Sequence, residues 1–270
     1  MENIRVRSEL LTEITEAEAK RYESNDAYGC EEKHNGERRT ICKGITSGIH
    51  NFNREGNPGK ALPSHVINAL QCHPLPSFTI DCEFEKGIVV VLDVLNLGGL
   101  DFSGQRYDKR KEAALLAFEN RSPLIKVCKT ITGKAKAAFV QAKRDEKAEG
   151  VCFKKLDAPF KQGRSGSHLK LKFVKDMDVV VLGPSPEGHN SVRVGVYDEH
   201  GVMMEICGVS LNGKPNAVKG DVLCIKYLYA SQKDGVMHAV QPRMLFVRDD
   251  KRASECTTAQ MVVNKNFRSN

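Results

Sequence analysis

The 270-residue sequence contains no tryptophan and no apolar run long enough to span a bilayer, so a membrane-embedded role finds no support in it. From Met1 to Ser24 the chain is charged and lacks the apolar core of a secretion signal. Retention in the cytoplasm is the expectation, the nucleoid or a host cell's cytoplasm included. Cysteine occurs nine times, an odd number, and never in C-x-x-C spacing. That pattern argues against a disulfide framework and against a zinc knuckle, and it leaves reduced core thiols.

What is present describes a globular chain: 40% apolar and 28% charged residues, enough length for two modest domains, and a formal net charge of +7. The positive excess suits a polyanionic partner without identifying one.

One stretch organises the rest. In Tyr28-Gly29-Cys30-Glu31-Glu32-Lys33-His34-Asn35-Gly36-Glu37-Arg38-Arg39, the residues Tyr28, Cys30 and Glu32 alternate like a strand. Asn35-Gly36 is a turn signal, and Arg39 to Gly44 resumes as an extended segment, so a hairpin is predicted with Lys33 at its lip. A lysine there is a solvated side chain unless neighbouring cations favour its neutral amine, in which case it is a nucleophile.

Glu31-Glu32-Lys33-His34-Asn35-Gly36-Glu37-Arg38 resembles E-x-K-x-D-G-x-R, the adenylylated-lysine motif of the covalent nucleotidyltransferases: ATP-dependent DNA ligases, RNA ligases and mRNA capping enzymes. The resemblance implies that Lys33 attacks the α-phosphate of ATP to form lysyl-AMP, that Glu31 contacts adenine, and that Arg38 contacts ribose or a nick phosphate. Asn35 stands where the family has Asp. It keeps the turn and removes one carboxylate.

Later segments carry the resemblance in order. Ser8 to Ile14 is predicted as a short capped helix before the first strand. Asn53-Arg54-Glu55-Gly56 resembles the ligase arginine segment, which makes Arg54 a candidate for ribose or phosphate; by itself it is a loop arginine. Ser77 to Glu85 alternates, placing Thr79, Asp81, Glu83 and Glu85 on one face as a polar pocket wall. Glu83 falls where the family contacts ribose or a metal ion. Ile88 to Leu95 reads as a strand buried on both faces, with Leu92 in the place of the aromatic that stacks on adenine. Gln105 to Glu119 has helical spacing with a basic start in Arg106, Lys109, Arg110 and Lys111, compatible with a phosphate-facing surface.

Glu149-Gly150-Val151-Cys152-Phe153-Lys154 resembles E-G-V-V-x-K, implying a metal-coordinating Glu149, a base-facing Cys152 and a nucleotide-facing Lys154. Leu156 to Arg164 resembles L-D-x-P-Y-x-x-G-R, which makes Arg164 a further nucleotide contact. His168-Leu169-Lys170-Leu171-Lys172 resembles W-L-K-x-K. Strand alternation puts Lys170 and Lys172 on one face about 6.6 Å apart. Such a cation pair stabilises charge building at an α-phosphate and favours the neutral amine of Lys33.

From Lys175 onward short strands broken by Gly, Pro and Asn turns fit a small oligonucleotide-binding (OB) barrel. Gln241-Pro-Arg243 through Arg248-Asp249-Asp250-Lys251 resembles P-R-F-x-x-x-R-x-D-K, implying that Arg248 and Lys251 act on the departing pyrophosphate. The expected architecture is therefore α+β: a nucleotidyltransferase (adenylation) domain with antiparallel sheets over residues 1–174, an OB-fold domain over 175–256, and a flexible tail over 257–270.

The resemblance implies a compact, monomeric ATP-dependent DNA ligase that seals nicked duplex DNA, with Mg²⁺ or Mn²⁺ held at Glu83 and Glu149. Its affinity for DNA is expected to fall steeply with salt. An RNA ligase or capping-type guanylyltransferase of the same superfamily, and a non-catalytic OB-containing nucleic-acid-binding protein, are the alternatives.

Overall fold

In the computed structural model, residues 6–186, 190–233 and 236–268 are described. The chain divides into two compact units, Met1–Lys172 and Phe173–Asn270.

The first unit runs β1 (Glu9–Glu13), α1 (Glu16–Glu23), β2 (Tyr28–Glu32), β3 (Glu37–Gly44), β4 (Gly48–Asn53), α2 (Ser64–Gln71), β5 (Phe78–Glu85), β6 (Ile88–Leu97), β7 (Leu100–Asp101), α3 (Tyr107–Phe118), β8 (Ile125–Val127), α4 (Ala135–Asp145), β9 (Gly150–Lys155) and β10 (Gly163–Lys172). These strands form two sheets. One is ordered β1-β10-β9-β2; the other is β4-β3-β5-β6-β7, with β8 beside β6.

Two local expectations change. Residues 9–13 form a strand because β1 pairs in parallel with β10, a tertiary pairing that overrides the helical reading of Ser8 to Ile14. The helix begins later, at a capping box in which the Thr15 hydroxyl accepts from the Glu18 N–H and the Thr15 N–H donates to the Glu18 carboxylate. Nor do β2 and β3 pair as a hairpin: β2 pairs with β9 in one sheet, and β3 with β4 and β5 in the other. The Asn35-Gly36 turn is thus a crossing between sheets. A Cβ on Gly36 would meet the Phe84 carbonyl oxygen at 2.3 Å, so only glycine allows this turn to lie against β5.

The second sheet is two-faced, as the alternation of β5 predicts. Phe78, Ile80 and Cys82 join Ile41, Val66, Leu70, Val89, Val91, Ala114 and Phe118 in the core under α2 and α3. Asp81 and Glu83 are buried on the opposite face. Burial of each large apolar side chain contributes about 1.5–3 kcal/mol, which fixes which way this sheet faces.

α3 departs from its surface reading. Arg110 and Lys111 point inward. Arg110 forms an ion pair with Asp93 at 2.8 Å and donates to the carbonyls of Gln105 and Ala158. It therefore ties α3 to β6 and to the loop after β9.

The second unit comprises β11 (Lys175–Pro184), β12 (Ser191–Tyr197), β13 (Met203–Ser210), β14 (Val222–Tyr227), β15 (Ala230–Lys233), β16 (Val236–Ala239), β17 (Arg243–Arg248) and β18 (Val263–Arg268). Five strands pair antiparallel in the order β13-β12-β11-β14-β17, and β16-β15-β18 form a small second sheet. The fold class is α+β with mostly antiparallel sheets, and no closed barrel is hydrogen-bonded among the described residues. Part of the expected tail is built in: Met261 belongs to this unit's core, and β18 pairs with β15. Ser269 and Asn270 lie outside the described residues.

Removing one partner of a buried ion pair leaves the other charge uncompensated. Arg110→Ala is expected to destabilise the first unit by about 3–5 kcal/mol in urea denaturation, and the double variant with Asp93→Ala by less than the two single losses combined. A loss below about 1 kcal/mol would show that Asp93 finds another partner.

Candidate active site

Register in the four-stranded sheet explains why distant motifs converge. Glu31 on β2 lies opposite Cys152 on β9, Cys152 opposite Lys170 on β10, and Lys170 opposite Glu13 on β1. Residues directly opposite one another share a face. Alternation adds Lys154, His168 and Lys172 to that face.

Lys33 follows β2 immediately, and its backbone N–H donates to the Gly150 carbonyl, extending the pairing by one residue before the chain crosses to the other sheet. Its Nζ is 2.6 Å from Glu149 Oε1.

The other wall comes from β3, β5 and β6. Arg38 Nε and Nη2 donate to the two Asp81 carboxylate oxygens at 2.5 and 2.6 Å. The Gly36 N–H donates to Glu83 Oε1 at 3.1 Å. A narrow cleft of about 60 Å³ is lined by both walls: Glu31, Lys33, Cys152, Lys154 and Lys170 from one side, and Arg38, Glu83 and Leu92 from the other. Larger cavities of about 480 and 470 Å³ lie elsewhere in this unit; the second takes Phe160 and Gln162 from the Leu156 to Arg164 motif, and neither is lined by a candidate site residue.

The floor of the cleft is a buried polar network. Glu31 accepts from the Tyr107 and Thr130 hydroxyls and lies 3.1 Å from Lys111 Nζ. Burial alone would raise its carboxyl; the Lys111 and Lys154 ammoniums and the two hydroxyl donors outweigh that and hold it below the ordinary range. Tyr107 and Lys111 sit one helical turn apart on α3, a spacing that places both on one face and was the available sequence signal for this network. Beneath Tyr107 lies His168, edge-on at 5.0 Å. Burial and the Lys154 charge push His168 down to about 2, so its ring is neutral.

Burial is also the main reason that Lys170 is lowered from the ordinary lysine value, with Lys172 and Lys33 adding to it. Both Lys170 and Lys172 reach Glu13, at 3.9 and 3.4 Å. For Arg38, burial works against the charge, and the Asp81 carboxylate overrides it.

Not every expected residue joins this group. Arg54 is exposed in a turn and pairs with its neighbour Glu55, and Arg164 is an exposed side chain that donates to the Leu11 carbonyl. Neither lines the cleft, because each side chain is directed from a loop or strand edge toward solvent. Lys172 is adjacent through Glu13 rather than a wall residue. Arg248 and Lys251 belong to the second unit, where both contact Asp178.

Glu149 Oε2 is buried with no hydrogen-bond partner, although Oε1 holds Lys33. An orphaned carboxylate oxygen of that kind fits a small cation. Among the described residues no group of three or more His, Cys, Asp or Glu side chains could hold a metal alone. Two carboxylates, with phosphate and water supplying the remaining ligands, is the pattern Mg²⁺ accepts.

Burial raises Glu83 above the usual carboxyl value by more than Arg38, Lys33 and the Gly36 N–H lower it. A carboxyl raised in the folded state contributes stability below its unfolded value and loses that contribution as pH rises through the folded one. Glu83→Gln keeps an acceptor for Gly36 and removes the charge. It is expected to raise the thermal midpoint above wild type at neutral pH and to leave it unchanged near pH 4, a value at the low end of the ordinary carboxyl range. Equal midpoints under both conditions would contradict the burial account.

No family model and no curated protein matches the sequence. Solved structures do match. A chain named Pmar-Lig_Pre superposes with a TM-score of 0.69 at 14% identity, covering 91% of this chain and 68% of that one. A Lig E DNA ligase gives 0.62 at 16% identity, covering 90% and 99%. A mycobacterial DNA ligase D complexed with ATP gives 0.53 at 17% identity, covering 95% and 99%. At these identities the likeness is one of architecture: this chain has the fold of the ATP-dependent DNA ligases.

Proposed function

We propose that the chain is an ATP-dependent DNA ligase that seals 5′-phosphate/3′-hydroxyl nicks in duplex DNA through lysyl-AMP on Lys33. One observation carries the reading. Lys33 ends β2 at the crossing between two sheets, with Nζ on Glu149 and with Lys154, Lys170, Arg38 and Glu83 lining the same cleft.

In the first step the neutral Lys33 amine attacks the α-phosphorus of ATP. The N–P bond forms, the bond from the α-phosphorus to the bridging oxygen breaks, and pyrophosphate leaves. The ammonium must first shed a proton, and Glu149 Oε1 is an acceptor within hydrogen-bonding reach. Lys170, already lowered by burial and by neighbouring cations, faces the growing charge on the α-phosphate oxygens. Arg38, locked by Asp81, offers its remaining donors to ribose or to the nick phosphate. Leu92 and Cys152 form the apolar contact for the base. The buried Glu31 carboxylate, fixed by Tyr107, Thr130 and Lys111, limits which base edge fits there.

Glu83 and Glu149 would hold Mg²⁺ or Mn²⁺, which supplies charge neutralisation for the triphosphate when bound. Arg248 and Lys251 serve the departing pyrophosphate. Next, the 5′-phosphate at the nick attacks the α-phosphorus of lysyl-AMP and frees the lysine. The 3′-hydroxyl then attacks the 5′-phosphorus, losing its proton, and AMP departs. Positioning and charge neutralisation dominate such chemistry, and that is what this cleft provides. The OB fold is our reading of the second unit. Its five-stranded sheet curls until Cα atoms of β13 and β17 come within 8 Å.

With ATP and Mg²⁺, the protein is expected to join nicked duplex DNA and to be inactive with GTP in a gel assay run beside nicked RNA and hybrid duplexes. Sealing of nicked RNA alone would indicate an RNA ligase, and guanylyl transfer a capping-type enzyme. Lys170→Ala is expected to slow adenylyl transfer to the protein by about 10²-fold or more. A wild-type rate in that variant would remove Lys170 from the α-phosphate.

A further inference from the structure

The second unit contains a cation cluster whose organiser is not one of the motif residues. Arg248 Nη1 lies 3.3 Å from both carboxylate oxygens of Asp178, and Lys251 Nζ donates to Asp178 Oδ2 at 2.6 Å. Arg248 spends its Nε and Nη2 donors on Asp250, at 2.6 and 2.8 Å. The two carboxylates differ in setting: Asp178 has 9% of its side chain exposed, Asp250 64%. An exposed pair is a weak constraint, whereas a buried carboxylate between two cations is a fixed one.

The backbone of Asp178 is itself clamped. Its N–H donates to Gln260 Oε1 at 2.9 Å, and its carbonyl accepts from Gln260 Nε2 at 3.4 Å. Gln260 ends a short 3-10 turn, and its own carbonyl accepts from the Tyr227 hydroxyl at 3.0 Å. The segment expected as a tail thus fixes a buried carboxylate on β11, and that carboxylate fixes Arg248 and Lys251.

Free arginine and lysine side chains each carry about 2 kcal/mol of rotamer entropy. Prior ordering by Asp178 removes that cost from the moment at which the cations meet phosphate. Lys251 uses one of its three donors on Asp178, so phosphate-binding capacity remains. The head groups are partly open, at 27% and 22% side-chain exposure.

We infer that Asp178, held by the side-chain amide of Gln260, is the positioning residue that presents Arg248 and Lys251 to the pyrophosphate group during transfer of the adenylyl group to the protein. The inference rests on the ligase reading above. Asp178 touches no reacting atom in it and acts only through the two cations. Pyrophosphate departs only in the first of the three steps, so the effect falls on that step.

The test compares two single-turnover rates: adenylyl transfer from ATP to the protein, and strand joining with a nicked DNA that already carries AMP on its 5′-phosphate. Asp178→Asn keeps the side chain's size and removes its charge. It is expected to lower the ratio of the first rate to the second by about 10- to 100-fold, the scale typical of residues that orient a functional group. Asp178→Glu, which restores the charge, is expected to recover part of that ratio. Gln260→Leu is expected to shift it in the same direction by less. An unchanged ratio in Asp178→Asn, including an equal fall in both rates with a lowered thermal midpoint, would overturn the inference and leave the ligase reading standing. Wild-type protein that takes no adenylyl group from ATP would overturn both.

Discussion

The ion pair between Lys33 and Glu149 is the contact on which the rest of the first unit converges. Lys33 sits where the chain leaves the four-stranded sheet for the other one, and Glu149 stands just before β9, the strand that pairs with β2. Holding both side chains in a partly buried cleft requires correct pairing in one sheet and a turn at Asn35-Gly36 that only glycine allows against Phe84. The position of the amine is therefore a property of the whole unit rather than of the short motif around it.

Around that pair, charges alternate at close range: Arg38 on Asp81, Lys111 on Glu31, Arg110 on Asp93. Each pair offsets its own desolvation penalty, which burial would otherwise leave as a net cost. Lys170 is the exception, with neighbouring cations and a partly exposed, distant carboxylate as its ion-pair partner. A cation in that state has more to gain from an incoming phosphate than one already satisfied, and low local dielectric strengthens the gain. The same reasoning separates Glu149, with its buried unpartnered oxygen, from Glu31, whose Oε1 takes two hydroxyl donors and an ammonium.

Much of this was legible in the sequence where local pattern and tertiary role coincide. The alternation of Phe78 to Glu85 gave the polar wall, the apolar run of Ile88 to Leu95 a buried strand, and the spacing of Lys170 and Lys172 one shared face. Other features depend on partners far along the chain. Residues 9–13 become a strand only through β10, and the β2–β3 turn becomes a crossing because β2 pairs with β9 and β3 with β4 and β5. Arg110 and Lys111 read as a solvated basic face because their acceptors, on β6 and just after β8, lie 17 to 19 residues away in sequence. Nor does any local pattern mark Asp178 or Gln260, because 82 residues separate the two.

The most direct test of the account is mass spectrometry of the protein after incubation with ATP and Mg²⁺, followed by peptide mapping. The account predicts a single AMP adduct on the peptide containing Lys33, stable to acid denaturation and missing from Lys33→Ala. An adduct on another residue, or none on folded wild-type protein, would contradict it.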